Sequence, residues 1–106
     1  MPAMNQPNDD TKRFRDNLQG EVDGAALYKA LAEAEPNTKL SEVYRRLAAV
    51  EEAHAELWRK NLRGAGAEVP RLAPSFRTRT LAWLARKFGP AFVLPTHRQK
   101  EIYNFL

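Results

Sequence analysis

The sequence predicts an all-α protein built on an antiparallel helical hairpin, followed by a short helical C-terminal segment. Apolar residues recur at helical spacing over two long runs, residues 11–35 and 38–63, and Pro36-Asn37 interrupts the pattern between them. The sequence shows neither a convincing strand pattern nor an internal repeat. Because the interruption is short, the two helices should lie antiparallel and in contact.

Composition limits the kinds of protein that this chain can be. Its 106 residues, 43% of them hydrophobic, suffice for one small domain. There is no cysteine, so any metal site must use histidine and carboxylates. The net charge is +4, and residues 62–106 hold eight Lys/Arg against two acids. No apolar run approaches the length of a membrane span and the start is no signal peptide, so we expect a cytoplasmic protein.

The predicted elements follow in order along the chain. Residues 1–10 are polar and are expected to form a disordered lead-in, and residues 11–63 should form the hairpin. Gly64 is a reasonable C-cap for the second helix. Residues 64–106 should contain a loop, a short basic amphipathic helix with the sequence FRTRTLAWLARKF that ends at a Gly-Pro pair, and the start of a third long helix.

Three polar residues interrupt the stripes that the two helices should bury against each other. Steps of four and three residues trace these stripes through Phe14, Leu18, Glu21, Ala25, Tyr28 and Ala32, and through Leu40, Tyr44, Leu47, Glu51, His54 and Trp58. The exceptions are Glu21, Glu51 and His54. Every other residue of the two stripes is apolar, small or a tyrosine. At about 1.5 Å per residue, all three lie roughly 22–27 Å from the turn. They should therefore share one level of the hairpin.

Two carboxylates and an imidazole at one buried level indicate a bound cation, because burying unpaired carboxylates is costly. Their donor atoms suit iron or manganese better than calcium or a closed zinc site. Ferritin-like di-metal bundles use one Glu from each of two helices and Glu-x-x-His from each of the other two. Glu21 with Glu51-x-x-His54 is half of that set. The alternative is that Glu51 and His54 are an ordinary helix-surface pair, since Glu-x-x-His alone is weakly specific.

The blocks EVDGAALY and EEAHAE resemble the rubrerythrin-like domain of the ferritin-like superfamily. The likeness covers about residues 14–96 and is strongest to the membrane-bound ferritin type, in which this domain precedes a vacuolar-iron-transporter-like membrane domain. The resemblance implies half of a four-helix bundle with a di-iron centre. In it, Glu21 would be a first-helix carboxylate ligand, Glu51 a bridging carboxylate and His54 a terminal imidazole ligand.

The chain departs from that family where the third helix should start. The second Glu-x-x-His helix and the membrane domain are not in the sequence, which leaves a truncated product, an excised fragment or a self-sufficient half-bundle as alternatives. In the last case, a homodimer or higher homo-oligomer would complete the site, as the two-helix subunits of encapsulated ferritins do. Glu101 is a minor candidate for a third-helix ligand, and His97 a weaker one.

Two functions from different classes follow. The first is a di-iron module that binds Fe(II) and oxidises it with O2 or peroxide for storage, detoxification or export. Whether half a ligand set gives ferroxidase-like turnover stays open. The second is a metal-free helical module for dimerisation. The basic helix adds a membrane-surface interaction as a third hypothesis, against the simpler role of a helix that covers the bundle. No nucleic-acid-binding motif accompanies the positive charge.

Overall fold

Three helices and a short 3₁₀ turn make up the computed structural model, which describes residues 7–94 and their side chains from residue 10. Helix α1 spans Pro7–Ala34, α2 spans Thr38–Gly64 and α3 spans Phe76–Phe88, and the 3₁₀ turn spans Pro90–Phe92. Helices α1 and α2 pack as the hairpin, and α3 packs against α1. The predicted all-α hairpin with a short C-terminal helix is confirmed. Over residues 7–94, none of the helices is long and apolar enough to cross a membrane.

Helix α1 begins four residues before the predicted start. Proline suits the first helical position, because its fixed φ is helical and that position needs no N–H donor. Residues 7–10, which the prediction assigned to the lead-in, are therefore part of α1. Residues 1–6 lie outside the described residues.

The turn between α1 and α2 satisfies the polar groups that a helix end leaves unpaired. Asn37 is the N-cap of α2, and its side-chain oxygen accepts a hydrogen bond from the Leu40 N–H at 2.9 Å. Pro36 has no N–H, so the Ala32 carbonyl lacks its usual helical donor. The buried Ser41 hydroxyl donates to that carbonyl at 2.7 Å instead. These bonds hold α1 and α2 at a fixed spacing where the hairpin turns.

Glycines lie at the ends of both α2 and α3. The end of α2 differs from the sequence prediction, and the end of α3 agrees with it. Helix α2 includes Gly64, and the residue with a left-handed backbone is Gly66, at φ 77°. The Ala67 N–H then donates to the Leu62 carbonyl, which closes the helix end. Helix α3 ends before Gly89, at φ 99°, as the Gly-Pro pair predicted.

Two separate apolar clusters hold the hairpin together. The first lies near the turn and joins residues of all three helices, and its buried members are Leu31, Ala32, Leu40, Tyr44, Ala85 and Leu94. The second lies at the far end, where the loop after α2 covers it, and its buried members are Leu18, Ala55 and Leu62. Glu21 and Glu51 lie at the level between the clusters, so apolar packing on both sides fixes the helices that carry them.

Side chains of α1 hold the loop that leads into α3. Asp23 accepts a hydrogen bond from the Ser75 N–H at 2.7 Å, and the Gln19 amide donates to the Ala73 carbonyl at 3.0 Å. The Ser75 hydroxyl in turn caps α3 by accepting from the Thr78 N–H. The start of α3 is therefore fixed to the middle of α1.

We expect Ser41→Ala to lower the free energy of unfolding by about 1–3 kcal/mol, because it leaves the buried Ala32 carbonyl without a donor. Thr38→Ala, at an exposed position of the same helix turn, is the matched control and should change stability by less than about 0.5 kcal/mol. Urea unfolding followed by circular dichroism measures both. Equal effects of the two substitutions would show that the Ser41 hydrogen bond is not what stabilises the turn.

Candidate metal centre

The structure brings the three predicted ligands together. Glu21 lies on α1, and Glu51 and His54 lie one turn apart on α2, so their side chains meet across the helix pair. Each offers one ligand atom, and these atoms all lie within 4.8 Å of one another. The His54 Nδ1 atom is 3.6 Å from the Glu21 Oε2 atom. Such a group of two carboxylates and an imidazole has the size and the donor atoms to hold a metal ion.

The cluster lies at the open edge of the hairpin and not within its seam. The Glu21 side chain is 21% exposed and the His54 side chain is 50% exposed. The sequence analysis placed His54 on the buried stripe of α2, whereas the structure buries Ala55 there. The buried side chains of α2 run through Tyr44, Ala48, Ala55 and Leu62, and His54 lies about 100° around the helix from Ala55. His54 is thereby turned toward the open side, where a further ligand could reach the same ion.

Gly24 allows α1 to come close to Glu51. A Cβ atom at this position would lie 2.9 Å from the Glu51 Oε2 atom, closer than real Cβ contacts, and 3.1 Å from its carboxyl carbon, which is closer than most. Gly20, one turn earlier, faces open space. Of these two glycines, only Gly24 therefore makes room for a neighbouring side chain. The missing side chain at Gly24 is what gives the Glu51 carboxylate its place beside Glu21.

The two carboxylates repel each other, and the consequence is seen at Glu51. Its partial burial, a hydrogen bond with Glu21 and the negative charge of Glu21 raise the pKa of Glu51 to about 7, against a smaller opposing effect of His54. The nearby cation Lys29 does not neutralise this pair, because its ammonium group is paired with Glu52 at 3.0 Å. A bound metal ion would supply the positive charge that the Glu21–Glu51 pair lacks.

An apolar strip flanks His54 on the open face of α2. Val50 is 47% exposed and Leu57 is 57% exposed, and they lie four residues before and three residues after the histidine. This strip was not predicted, although the sequence contains its pattern. Apolar residues at positions 47, 50 and 57 lie at helical spacing with His54, which indicates a second apolar face on α2. Exposed aliphatic side chains on both sides of a ligand suggest that another helix covers this face.

The remaining site predictions have mixed outcomes. Glu101 and His97 lie outside the described residues. Tyr44 is buried and Tyr28 stacks on it with ring centroids 6.4 Å apart, so both belong to the core as expected. Glu52, next to Glu51 in the sequence, makes a surface ion pair with Lys29 and is not part of the cluster.

The comparisons with known proteins give one positive result. A protein-family model described as Rubrerythrin matches residues 14–89. The matched range covers most of the chain and includes Glu21, Glu51 and His54. No curated protein and no solved structure matches the chain.

The raised pKa of Glu51 predicts that the metal-free protein loses stability as pH rises. Between the ordinary value of 4.5 and about 7, folded Glu51 keeps a proton that the unfolded chain has released. The free energy of unfolding should therefore fall across this window, by on the order of 1 kcal/mol because solvent screens the half-buried pair. Urea unfolding in chelator-containing buffers at several pH values measures the slope.

Glu51→Gln should flatten this pH dependence, because the amide does not titrate. The matched control is Glu52→Gln, which removes an exposed carboxylate one residue away and should keep the slope. A slope that is the same in wild-type protein and in Glu51→Gln would contradict the assignment.

Proposed function

Because the chain belongs to the rubrerythrin family, we propose that its hairpin is a ferritin-like di-iron-binding module that takes up Fe(II) and supports its oxidation. The observation that carries the proposal is the convergence of Glu21, Glu51 and His54 within 4.8 Å at a single level of the α1–α2 pair. These residues are half of the ligand set that ferritin-like di-metal bundles use. The biological role would be iron storage, detoxification or export, and export would suit a protein of the membrane-bound ferritin type.

The donor set fits iron. Carboxylate oxygens together with one imidazole nitrogen suit Fe(II) or Mn(II), and they leave coordination positions open on the exposed side. By likeness to the family, Glu21, Glu51 and His54 would together hold the iron, with Glu21 and Glu51 as carboxylate ligands and His54 as the imidazole ligand. When bound, a pair of iron ions would supply electrons for the reduction of O2 or peroxide.

The chain's own residues prepare the site for uptake. Glu51 would bind a metal ion as the ionised carboxylate, and with its pKa raised to about 7 a substantial fraction of Glu51 is already ionised near neutral pH. Glu21 and His54 are held 3.6 Å apart, so little side-chain motion is needed to place both on one ion. The apolar clusters on either side restrict the motion of the helices, which pre-organises the ligands.

We propose that a second ligand-bearing hairpin completes the site over the open face. A second copy related by a two-fold axis would contribute another Glu21 and another Glu51-x-x-His54, which gives the complete set. The exposed Val50 and Leu57 would then be buried against the partner, beside the metal ions. A further segment of a longer protein could contribute the same ligands in the same place.

The apolar strip also favours a second candidate function, a metal-free helical module for dimerisation. In that case Val50 and Leu57 would form the contact, and the polar residues between them would set which partner and which register are accepted. The two functions differ in whether metal uptake accompanies assembly.

Anaerobic Fe(II) titration with native mass determination tests the proposal. We expect about one iron per chain, and two per pair of hairpins, if the family's ligand recipe applies. Glu51→Ala should reduce the iron bound by at least about tenfold, because it removes the bridging carboxylate. Glu52→Ala, the neighbouring exposed acid, is the matched control and should bind iron normally.

The iron content of the assembly, measured together with its mass, decides between the candidate functions. Iron uptake by a dimer supports completion of the site by a second copy. A dimer that binds no iron, and whose mass is the same in Glu51→Ala, would contradict the di-iron proposal and support the metal-free module.

Gly24→Ala should weaken iron binding about tenfold or more without destabilising the fold, because the new methyl group displaces the flexible end of Glu51. Alanine also raises helix propensity by up to about 1 kcal/mol. Gly20→Ala has the same propensity gain with nothing within 4 Å, so it is the matched control and should bind iron normally. Isothermal titration with Fe(II) or Mn(II) and thermal unfolding measure both effects. Equal metal affinities for the two variants would contradict the role of Gly24.

A further inference from the structure

Helix α3 packs with its small side chains inward and its large aromatic side chains outward. Thr78, Ala82 and Ala85 are buried, whereas Phe76 is 77% exposed and Trp83 is 56% exposed. A helix that only covers a bundle buries its largest apolar residues, because these gain most from leaving water. The orientation of α3 therefore leaves an aromatic surface without a partner in the described part of the chain.

This surface is continuous and extends beyond the helix into the 3₁₀ turn. The Trp83 and Phe88 rings are 6.3 Å apart, and the Phe88 and Phe92 rings are 5.0 Å apart. Phe88 is 56% exposed and Phe92 is 61% exposed. A shallow groove between Phe76 and Trp83 continues the surface along α3. We call these four aromatic residues the aromatic face.

Positive charge surrounds the aromatic face, and negative charge is absent from this part of the sequence. Residues 69–94 contain five Lys/Arg and no Asp or Glu. The Lys87 ammonium lies 6.0 Å from the Trp83 ring centroid, and Arg79 lines the groove. Glu33 of α1 reaches this region, but its carboxylate is paired with Arg86 at 2.9 Å. The face itself is aromatic and cationic.

We propose that the aromatic face docks on the surface of an anionic lipid bilayer. Aromatic rings, tryptophan above all, favour the headgroup boundary, because the ring is largely apolar and the indole N–H needs a polar partner. Lysine and arginine beside them reach lipid phosphates while their methylene chains stay on apolar surface. Helix α3 would lie in the plane of the interface, with its small-residue side on α1 and its aromatic side in the lipid.

The chemistry of the face favours lipid over the other anionic partners. An acidic protein would match the charge of Arg79 and Lys87 but would not require exposed rings along the whole length of α3. A nucleic acid would use the cations and could stack bases on the rings, yet the rings at Phe88 and Phe92 pack on each other at 5.0 Å and tilt by 31°, which leaves little room between them for a base. This interaction uses none of the Glu21 cluster and goes beyond the proposed iron chemistry.

Vesicle co-sedimentation tests the charge requirement. The chain should bind vesicles of phosphatidylcholine with phosphatidylglycerol at least about tenfold more strongly than vesicles of phosphatidylcholine alone, and added salt should weaken the binding. The double variant R79E/K87E should lose about tenfold or more. The control K39E/K60E makes the same change in net charge at exposed positions on α2 and should bind like the wild type. Equal losses in both variants would overturn the proposed face.

Tryptophan fluorescence tests insertion of the rings. Trp58 packs on Phe14 against the second apolar cluster, so Trp58→Phe should change the packing little. The variant leaves Trp83 as the only tryptophan, and all tryptophan emission then reports on the aromatic face. The emission of Trp83 should shift to shorter wavelength with anionic vesicles, and Trp83→Ser should weaken sedimentation while circular dichroism is unchanged. An unshifted emission, or equally tight binding to a double-stranded DNA oligonucleotide, would overturn the proposal. Glu51→Ala should bind vesicles normally, which separates this test from that of the iron site.

Discussion

The close approach of the Glu51 carboxylate to α1 at Gly24 is the constraint on which the candidate metal centre depends. With no side chain at Gly24, the Glu51 carboxylate occupies the space beside α1 and meets Glu21. Burial of Glu51, together with the hydrogen bond and the negative charge of Glu21, raises the pKa of Glu51 to about 7, so ionising both acids is unfavourable in the metal-free protein. The helix pair thus holds two acids together at a cost in stability, an arrangement common at functional sites. A cation would remove the repulsion.

The rest of the hairpin compensates for this polar level. Apolar clusters lie on both sides of it, one near the turn and one beneath the loop after α2. At the turn, Ser41 supplies the hydrogen bond that Pro36 cannot, so the spacing of the helices there does not depend on Glu21, Glu51 or His54. The positions of these three candidate ligands therefore follow from packing and hydrogen bonds elsewhere in the hairpin.

The described residues carry two exposed apolar surfaces of different chemistry. The strip at Val50 and Leu57 is purely aliphatic and lies beside the candidate ligand His54, a composition that suits contact with another helix. The aromatic face on α3 carries cations among its rings, which suits a charged and partly apolar boundary. Asp23 fixes the start of α3 on α1, so the orientation of the aromatic face is set by the same helix that carries Glu21.

The sequence alone determined the helices, their antiparallel pairing and the three side chains that meet. These follow from local rules: apolar spacing defines the helices, Pro36-Asn37 and Gly89-Pro90 interrupt them, and equal distance from the turn brings Glu21 level with Glu51. The resemblance to the rubrerythrin-like domain likewise lies in the order of residues, and the family match over residues 14–89 confirms that part of it.

Tertiary structure decided which way each helix turns its faces. Apolar spacing does not distinguish a stripe at Leu47 and His54 from one at Ala48 and Ala55, because small residues pack closely where large ones do not fit. For the same reason α3 buries Ala82 and exposes Trp83, the reverse of what hydrophobicity predicts. Only the packed helices show that His54 lies at an open edge and that the aromatic residues face outward. The physical reason is that helix rotation is set by the shape of the neighbouring helix, which no local pattern contains.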